Sequence, residues 1–266
     1  MAPAVVFLSF ADSRLSESMK RLRKQVYALN LFDRCLFCNE FNLGSEFVRK
    51  NSWAFSYHSR GFGYFLWKPY LIERSLSELR DGDVLVYSDV GNHFRIENAF
   101  RLKSYIDLAS ESVTPILAPK LSSKYLEQAW TKYELLAFLG VENAIEVRLS
   151  PQFEANFILI VNRPRAKEMV RKWNEIYEKE PKLFDDSFSS VQLEGFVEHR
   201  HDQSAFSVLG KLHGITEIPG DMDDLVLRLR DKVFRKRPAL FVLFLLRKGL
   251  LARRFLNPRT KLLQHF

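Results

Sequence analysis

The chain has 266 residues, 47% of them hydrophobic and 27% charged, a size and apolar content that exclude a disordered chain and suit one large α/β domain with an appendage. Its net charge of +8 is unevenly held: residues 225–266 carry twelve Lys/Arg against one acidic residue, Asp231, or +11, which leaves −3 on residues 1–224. A slightly acidic body with a basic end is not the distribution of a nucleic-acid binder, so no nucleic acid is expected as partner.

The start, MAPAVVFLSFADSR, has neither the basic n-region nor the small-residue cleavage site of a signal peptide. Val5–Phe10 therefore reads as a first strand, and the protein is expected on the cytoplasmic side. Asp12 follows at the carboxyl end of that strand, where it serves either as a ligand group or as a loop cap. A helix capped by Ser16 runs through Met19, Leu22, Val26 and Leu29, and Cys35-Leu36-Phe37-Cys38 makes a second strand. This βαβ start predicts a parallel sheet. Cys35 and Cys38 have CxxC spacing, but no second pair completes a zinc site and no thioredoxin-like helix follows. Two free thiols suit a reducing compartment.

The densest chemistry lies in residues 60–91, RGFGYFLWKPYLIERSLSELRDGDVLVYSDVG. A helix is expected over 46–55, then a loop in which Gly61 and Gly63 permit a tight path. Arg60 in that loop can pair with a phosphate in bidentate fashion. Lys68 and Pro69 open a helix over 70–79, where an anion is favoured at the amino end. Val84-Leu85-Val86-Tyr87 is a buried strand entered through Asp81-Gly82-Asp83, and Ser88-Asp89-Val90-Gly91 stands at its carboxyl end, the usual ligand position of an open α/β sheet. An Asp there holds a cation or a sugar hydroxyl, or it caps the following turn.

Farther on, a helix is expected over 100–108, a strand over 115–118, and a helical stretch over 125–139. Gln152-Phe153-Glu154-Ala155-Asn156 precedes the apolar run FILIV, so Glu154 and Asn156 are placed to face a polar cleft with a strand anchoring them from behind. A helix follows over 164–178, and 185–190 reads as a solvated connection. The cluster Glu198-His199-Arg200-His201-Asp202-Gln203 then opens another helix, with Asp202 a candidate N-cap. Its imidazoles can ligate metal or meet a diphosphate, and its acid–amide pair can hold hydroxyls or a developing oxocarbenium charge.

The order YSDVG, FEANFILIVN, HRHDQSAFSVL resembles the bacterial sugar-nucleotide glycosyltransferases of the GT-A fold. FEANFILIVN is similar to the FNxGxxLxN strand of the retaining galactosyltransferase and glycogenin-like group, and DQSAF to its DQ helix start. RGFGYFLWKPYLI, DGDVLVYSDVG and HRHDQS together resemble transferases of polysaccharide and lipopolysaccharide synthesis. The resemblance runs over residues 5–214. It implies an α/β fold with a GT-A-like, Rossmann-type mixed sheet flanked by helices, and transfer from a nucleotide-sugar donor, a UDP-sugar, to a glycan or lipid-linked acceptor.

By the same resemblance Asp12 lies near the nucleobase and Arg60, Lys68, His199 and Arg200 near the diphosphate. Ser88, Asp89 and Asn156 meet the donor, and Glu154, Asp202 and Gln203 act at the reacting sugar. The usual DxD is here Tyr87-Ser88-Asp89, lacking one carboxylate, and the histidine that completes the metal shell has no matching motif. His201 or His213 would have to substitute. A divalent metal, Mn2+ or Mg2+, held by Asp89 and His201 is thus an expectation from the family, as is retention of configuration. The competing class is a non-catalytic module that binds carbohydrate or nucleotide.

Residues 225–266 form a basic and apolar tail beyond a transferase domain of residues 1–224. Eight apolar residues from Ala239 to Leu246 are too few to span a bilayer, but their basic flanks fit an interfacial helix on an anionic membrane. The expected location is therefore cytoplasmic, peripheral on the inner face of the cell membrane. A helix packed on the body is the alternative.

Overall fold

A computed structural model describes residues 2–55 and 59–227 of the protein. The basic tail beyond Leu227, with its expected amphipathic helix, lies outside the described residues. In chain order the strands are β1 (Val5–Phe10), β2 (Arg34–Cys38), β3 (Val84–Ser88), β4 (His93–Phe94), β5 (Ile116–Ala118), β6 (Phe157–Val161), β7 (Thr216–Glu217) and β8 (Val226–Leu227). The helices are α1 (Ser16–Leu29), α2 (Ser45–Lys50), α3 (Gly61–Tyr64), α4 (Trp67–Ser77), α5 (Ala99–Glu111), α6 (Glu127–Trp130), α7 (Tyr133–Phe138), α8 (Ile145–Arg148), α9 (Pro164–Lys179) and α10 (His201–His213).

Six strands form one mixed sheet in the order β2-β1-β3-β6-β5-β7. β1 runs parallel to both β2 and β3, and β5 to β7, whereas β6 is antiparallel to both of its neighbours, β3 and β5. Period-two alternation sorts the strand side chains. Val6, Leu8, Phe10, Leu85, Tyr87, Ile158 and Ile160 face a core shared with α4, α9 and α10. Phe7, Val84, Val86, Phe157, Leu159 and Val161 face the opposite core, filled by α1 and α5. The expected α/β architecture with helices on both faces is thus the observed one. β4 and β8 pair as a separate ribbon, and Leu225 is fully buried, so residues 225–227 pack with the body.

Several element boundaries differ from expectation. Ser16 is the first residue of α1 and not its cap; Asp12 instead caps the preceding 3-10 turn by accepting from the Arg14 amide. The helix expected over 46–55 ends at Lys50, and the one expected from Tyr70 begins at Trp67. The stretch 125–139 is broken at Thr131 and Lys132, both extended and fully buried, because the Lys132 side chain is drawn inward to a neighbouring loop. Cys35 and Cys38 are free thiols on β2, and burial raises the pKa of both.

The RGFGYF loop follows an uncommon path. Gly61, Phe62, Gly63, Tyr64 and Phe65 all have positive φ, between 50° and 81°, so α3 winds left-handed. Each non-glycine residue there costs roughly 1–2 kcal/mol. A Cβ at Gly61 would sit 2.2 Å from the Phe65 ring, so this position requires glycine on both counts. The turn is held by Tyr64 N to Arg60 O at 2.7 Å, the Trp67 indole to Gly61 O at 3.1 Å and the Tyr177 hydroxyl to Tyr64 O at 2.8 Å.

Candidate active site

Because β6 runs against β3, the end of β3 meets the beginning of β6, with Ser88 opposite Phe157. The residues after one strand and before the other therefore share an edge. Asp89 N donates to Asn156 O at 2.8 Å, and the Asn92 amide bridges the two strands, donating to Ser88 Oγ at 3.0 Å and Asn156 O at 2.9 Å. On the far side of that loop the Arg21 guanidinium, from α1, donates to the carbonyls of Val90 and Asn92 and contacts His93. Asp89 is in this way set on a backbone clamped from both sides.

Lys68 joins the edge to α10. Its ammonium, only 2% exposed, donates to Ala155 O at 3.0 Å and to Asp202, and lies 3.3 Å from Asp89 Oδ1. The Phe65, Trp67 and Tyr87 rings surround it at 5.2–5.9 Å. Burial alone would depress its pKa, but Asp202 and Asp89 outweigh that and raise it. Burial raises the pKa of Asp202, as does Asp89, against the lowering pull of Lys68. The Tyr87 hydroxyl donates to Asp89 Oδ1 at 2.5 Å, and burial together with that carboxylate holds its pKa well above the usual value.

One ammonium between two carboxylates leaves a formal charge of −1 on the cluster. Beside it Asn156 donates to Glu154 Oε2 at 2.6 Å, and Gln203 donates to Gln152 Oε1 at 2.8 Å. Asp89, Lys68, Asp202, Glu154 and Asn156 thus come together at one sheet edge, with Ser88 buried beneath as the acceptor for Asn92. Asp202 is not the N-cap of α10; that position is Arg200, and Asp202 lies in the first turn with its carboxylate turned to Lys68.

Other expected residues stand apart. Lys68, expected near a diphosphate, is engaged by two of the protein's own carboxylates and a carbonyl. Arg60 is exposed and pairs with Glu198 at 2.8 Å. Arg200 stacks its guanidinium 4.2 Å from the Trp130 ring and 4.9 Å from that of Tyr125. Asp12, at the end of β1, is taken up by Arg14, whose Nε lies at 2.8 Å.

His201 turns its ring to Phe184 O at 2.7 Å and to Asp186 at 3.5 Å, whereas Asp89 is held by Tyr87 and Lys68. Among the described residues no three His, Cys, Asp or Glu side chains converge on a metal position. Mn2+ or Mg2+ held by Asp89 and His201 would need further ligands beyond these side chains.

The two histidines are structural in their contacts. His199 accepts from the Lys132 amide at 3.4 Å, and burial, reinforced by Lys132 and His201, drives its pKa well below the usual value. Burial also lowers His201, with the Phe184 carbonyl and Asp186 opposing. Imidazoles with depressed folded-state pKa values contribute stability that is complete above about pH 6.5 and lost as pH falls below it, when the unfolded chain takes up the protons first. The urea midpoint should therefore drop between pH 7.5 and pH 5.5, and His199→Asn should flatten that slope. Asp202, whose shift has the opposite sign, cancels in the comparison. An unchanged slope in the variant would remove His199 as its source.

Several participants carried no legible signal. Lys132 is 1% exposed and donates to the carbonyls of Lys182 at 2.5 Å, Ser187 at 2.7 Å and Asp185 at 3.3 Å, so the 185–190 connection is anchored by a buried ammonium. Burial lowers its pKa, while Asp185 and Glu134 pull it up. Tyr87, Asn92, Gln152 and Glu127 were also invisible as site residues. For Tyr87, two residues before Asp89 on a strand, the shared face was the available clue.

No family model matches the chain, and no curated protein sequence does. Among solved structures it is similar to the glycosyltransferase GlyE of Streptococcus pneumoniae TIGR4, at 15% identity and a TM-score of 0.43 over 82% of this chain and 45% of that one. It is also similar to the bifunctional glycosyltransferase WbbM, at 11% and 0.49 over 82% and 39%, and to the galactosyltransferase LgtC, at 14% and 0.42 over 80% and 72%. The chain thus spans less than half the length of GlyE and of WbbM. With every one of these TM-scores below 0.5, function is read from the side chains of the site.

Proposed function

We propose that the protein is a glycosyltransferase that moves a sugar from a nucleotide-sugar donor, a UDP-sugar, to a glycan or lipid-linked acceptor of surface polysaccharide or lipopolysaccharide. The observation that carries this reading is the enclosed Lys68 ammonium, which fastens Asp89 after β3, Ala155 before β6 and Asp202 in α10 into one acceptor-rich edge. Carboxylates and amides in this number, with a net negative charge, match hydroxyls, which donate to them; they do not match a bare phosphate. Asp89 is the open member, its side chain one-third exposed, and it is placed to meet the donor. The diphosphate then falls to basic groups at the rim, of which Arg60 and Arg200 are the candidates.

In this mechanism Lys68 orients both carboxylates before substrate arrives, so no reorganisation is needed as charge develops. Asp202 and Gln203 stabilise the positive face of an oxocarbenium-like transition state. As the bond from the anomeric carbon to the diphosphate breaks, the acceptor oxygen bonds to that carbon from the same face and passes its proton to the departing diphosphate, which gives retention. No step is routed through a metal. For the membrane, no described helix is long and apolar enough to cross one; the basic tail is proposed as a peripheral anchor on an anionic surface.

The test is release of nucleoside diphosphate from a panel of UDP- and other nucleotide sugars by the full chain, each donor first screened for a rise in melting temperature. Donor-dependent release, with and without Mn2+, is the expected result. A donor that raises the melting temperature but is never cleaved would favour the non-catalytic binding module.

A further inference from the structure

Behind the site lies a buried polar network that the mechanism above does not use. Glu127, in α6, is fully buried. Its Oε1 accepts from the Lys211 ammonium at 2.7 Å and from the Ser207 hydroxyl, and its Oε2 from the Thr131 hydroxyl at 2.7 Å and Gln152 Nε2 at 3.1 Å. Gln152 Nε2 also reaches Trp130 O at 3.2 Å, Thr131 Oγ1 at 3.0 Å and Ser204 Oγ at 3.3 Å. The donors and acceptors in this set leave no freedom. A carboxylate holding an ammonium and a backbone carbonyl both accept only, so the end of Gln152 that meets them must be its NH2.

The other end, Gln152 Oε1, accepts and points to Gln203, which must answer with its own NH2, as it does at 2.8 Å. The carbonyl oxygen of Gln203 is then the end left over. We infer that Glu127 and Gln152 are positioning residues that fix the Gln203 amide so that its oxygen, and not its NH2, is presented to the reacting sugar beside Asp202. This deepens the transferase reading and rests on it. An amide oxygen supports positive charge developing at a sugar carbon; an NH2 in its place would oppose it. A solvent-facing glutamine rotates freely between the two, and the buried carboxylate removes that choice.

The relay is testable apart from catalysis. Side-chain amide protons of Gln203, followed by NMR hydrogen exchange in the full chain, should be protected in the wild type and exchange freely in Gln152→Met. Equal exchange in the two would overturn the relay whatever the turnover. With UDP-glucose and UDP-galactose as probes, Gln152→Met should lower kcat for UDP release on the order of tenfold at near-constant KM, as for groups that act through a neighbour. Adding Gln203→Glu should restore part of that rate, because a carboxylate presents an oxygen whichever way it turns.

A kcat for Gln152→Met within twofold of the wild type, or no rescue at a native melting temperature, would overturn the positioning role. If Gln152→Met does not fold, Glu127→Gln takes its place: it keeps the volume but offers an NH2 where Gln152 now meets an acceptor, which frees Gln152 to turn. Gln203 amide exchange should then quicken and kcat fall, and wild-type exchange and kcat in a native fold would overturn the proposal. A wild type with a protected Gln203 amide that cleaves no donor would overturn the transferase reading, and with it the catalytic role of the relay.

Discussion

Lys68→Met is expected to cost the protein about 3–5 kcal/mol, the range for breaking a buried ion pair from one side. The loss comes less from the missing attraction than from what stays behind. Asp202, with a side chain only 7% exposed, would face Asp89 with no cation between them, and Ala155 O would lose its donor. The hydrophobic stem of methionine fills much the same space, so cavity formation is a minor part. Because burial and Asp89 already raise the Asp202 pKa, protonating Asp202 offers an escape. The penalty should therefore be largest at neutral pH and shrink as pH falls toward 5. Urea denaturation at pH 7.5 and pH 5 checks both statements. A loss under about 1 kcal/mol at pH 7.5, within the range of an exposed pair, would mean that the ammonium is not the fastening described. Lys68→Arg should not rescue, since a planar guanidinium cannot occupy a position shaped around a point charge.

Asp89→Ala should show the opposite balance, a modest loss of stability and a large loss of turnover. Lys68 keeps its bond to Asp202 in this variant, and the main structural cost is the Tyr87 hydroxyl left without its acceptor, about 1–3 kcal/mol. Turnover should fall on the order of a hundredfold to a thousandfold, as when a single preorganised polar group is removed from a reacting centre. Initial rates of nucleoside diphosphate release, with folding verified by circular dichroism, make the measurement. Activity within tenfold of the wild type would take Asp89 out of the mechanism. The two substitutions together separate the group that assembles the site from the one that meets substrate.

The parts that composition and periodicity could reach were found where the side chains point along a regular element. The apolar runs of β1, β3 and β6 marked the sheet, and Asp89, Glu154 and Asn156 were located because they adjoin those runs. Asp202 was located because it opens α10. The partners of Lys68 are not legible: position in a helix says which turn a residue occupies, while those partners lie 87 and 134 residues away. The Glu127–Gln152 network was silent for the same reason, being assembled from α6, the segment before β6, and α10. The helix break at Thr131 and Lys132 contradicts local propensity, and tertiary burial won. The two glycines mark a tight loop, but nothing in the sequence says that it winds left-handed or that Phe62, Tyr64 and Phe65 share the positive φ.

The reversed strand β6 also bears on how the molecule is made. During synthesis β1, β2 and β3 leave the ribosome together, but the strand that covers the open side of β3 does not emerge until residue 157. A nascent chain of that length therefore carries the β6-facing edges of β3 and β5 bare through the whole time needed to make some forty residues between Ala118 and Phe157, and the β7 side of β5 is open as well. Arrival of β6 closes the β3 edge and the facing edge of β5 at once and brings Ala155 to Lys68, while the far side of β5 waits for β7. Protection from aggregation and the first assembly of the site thus fall at the same moment in the life of the chain.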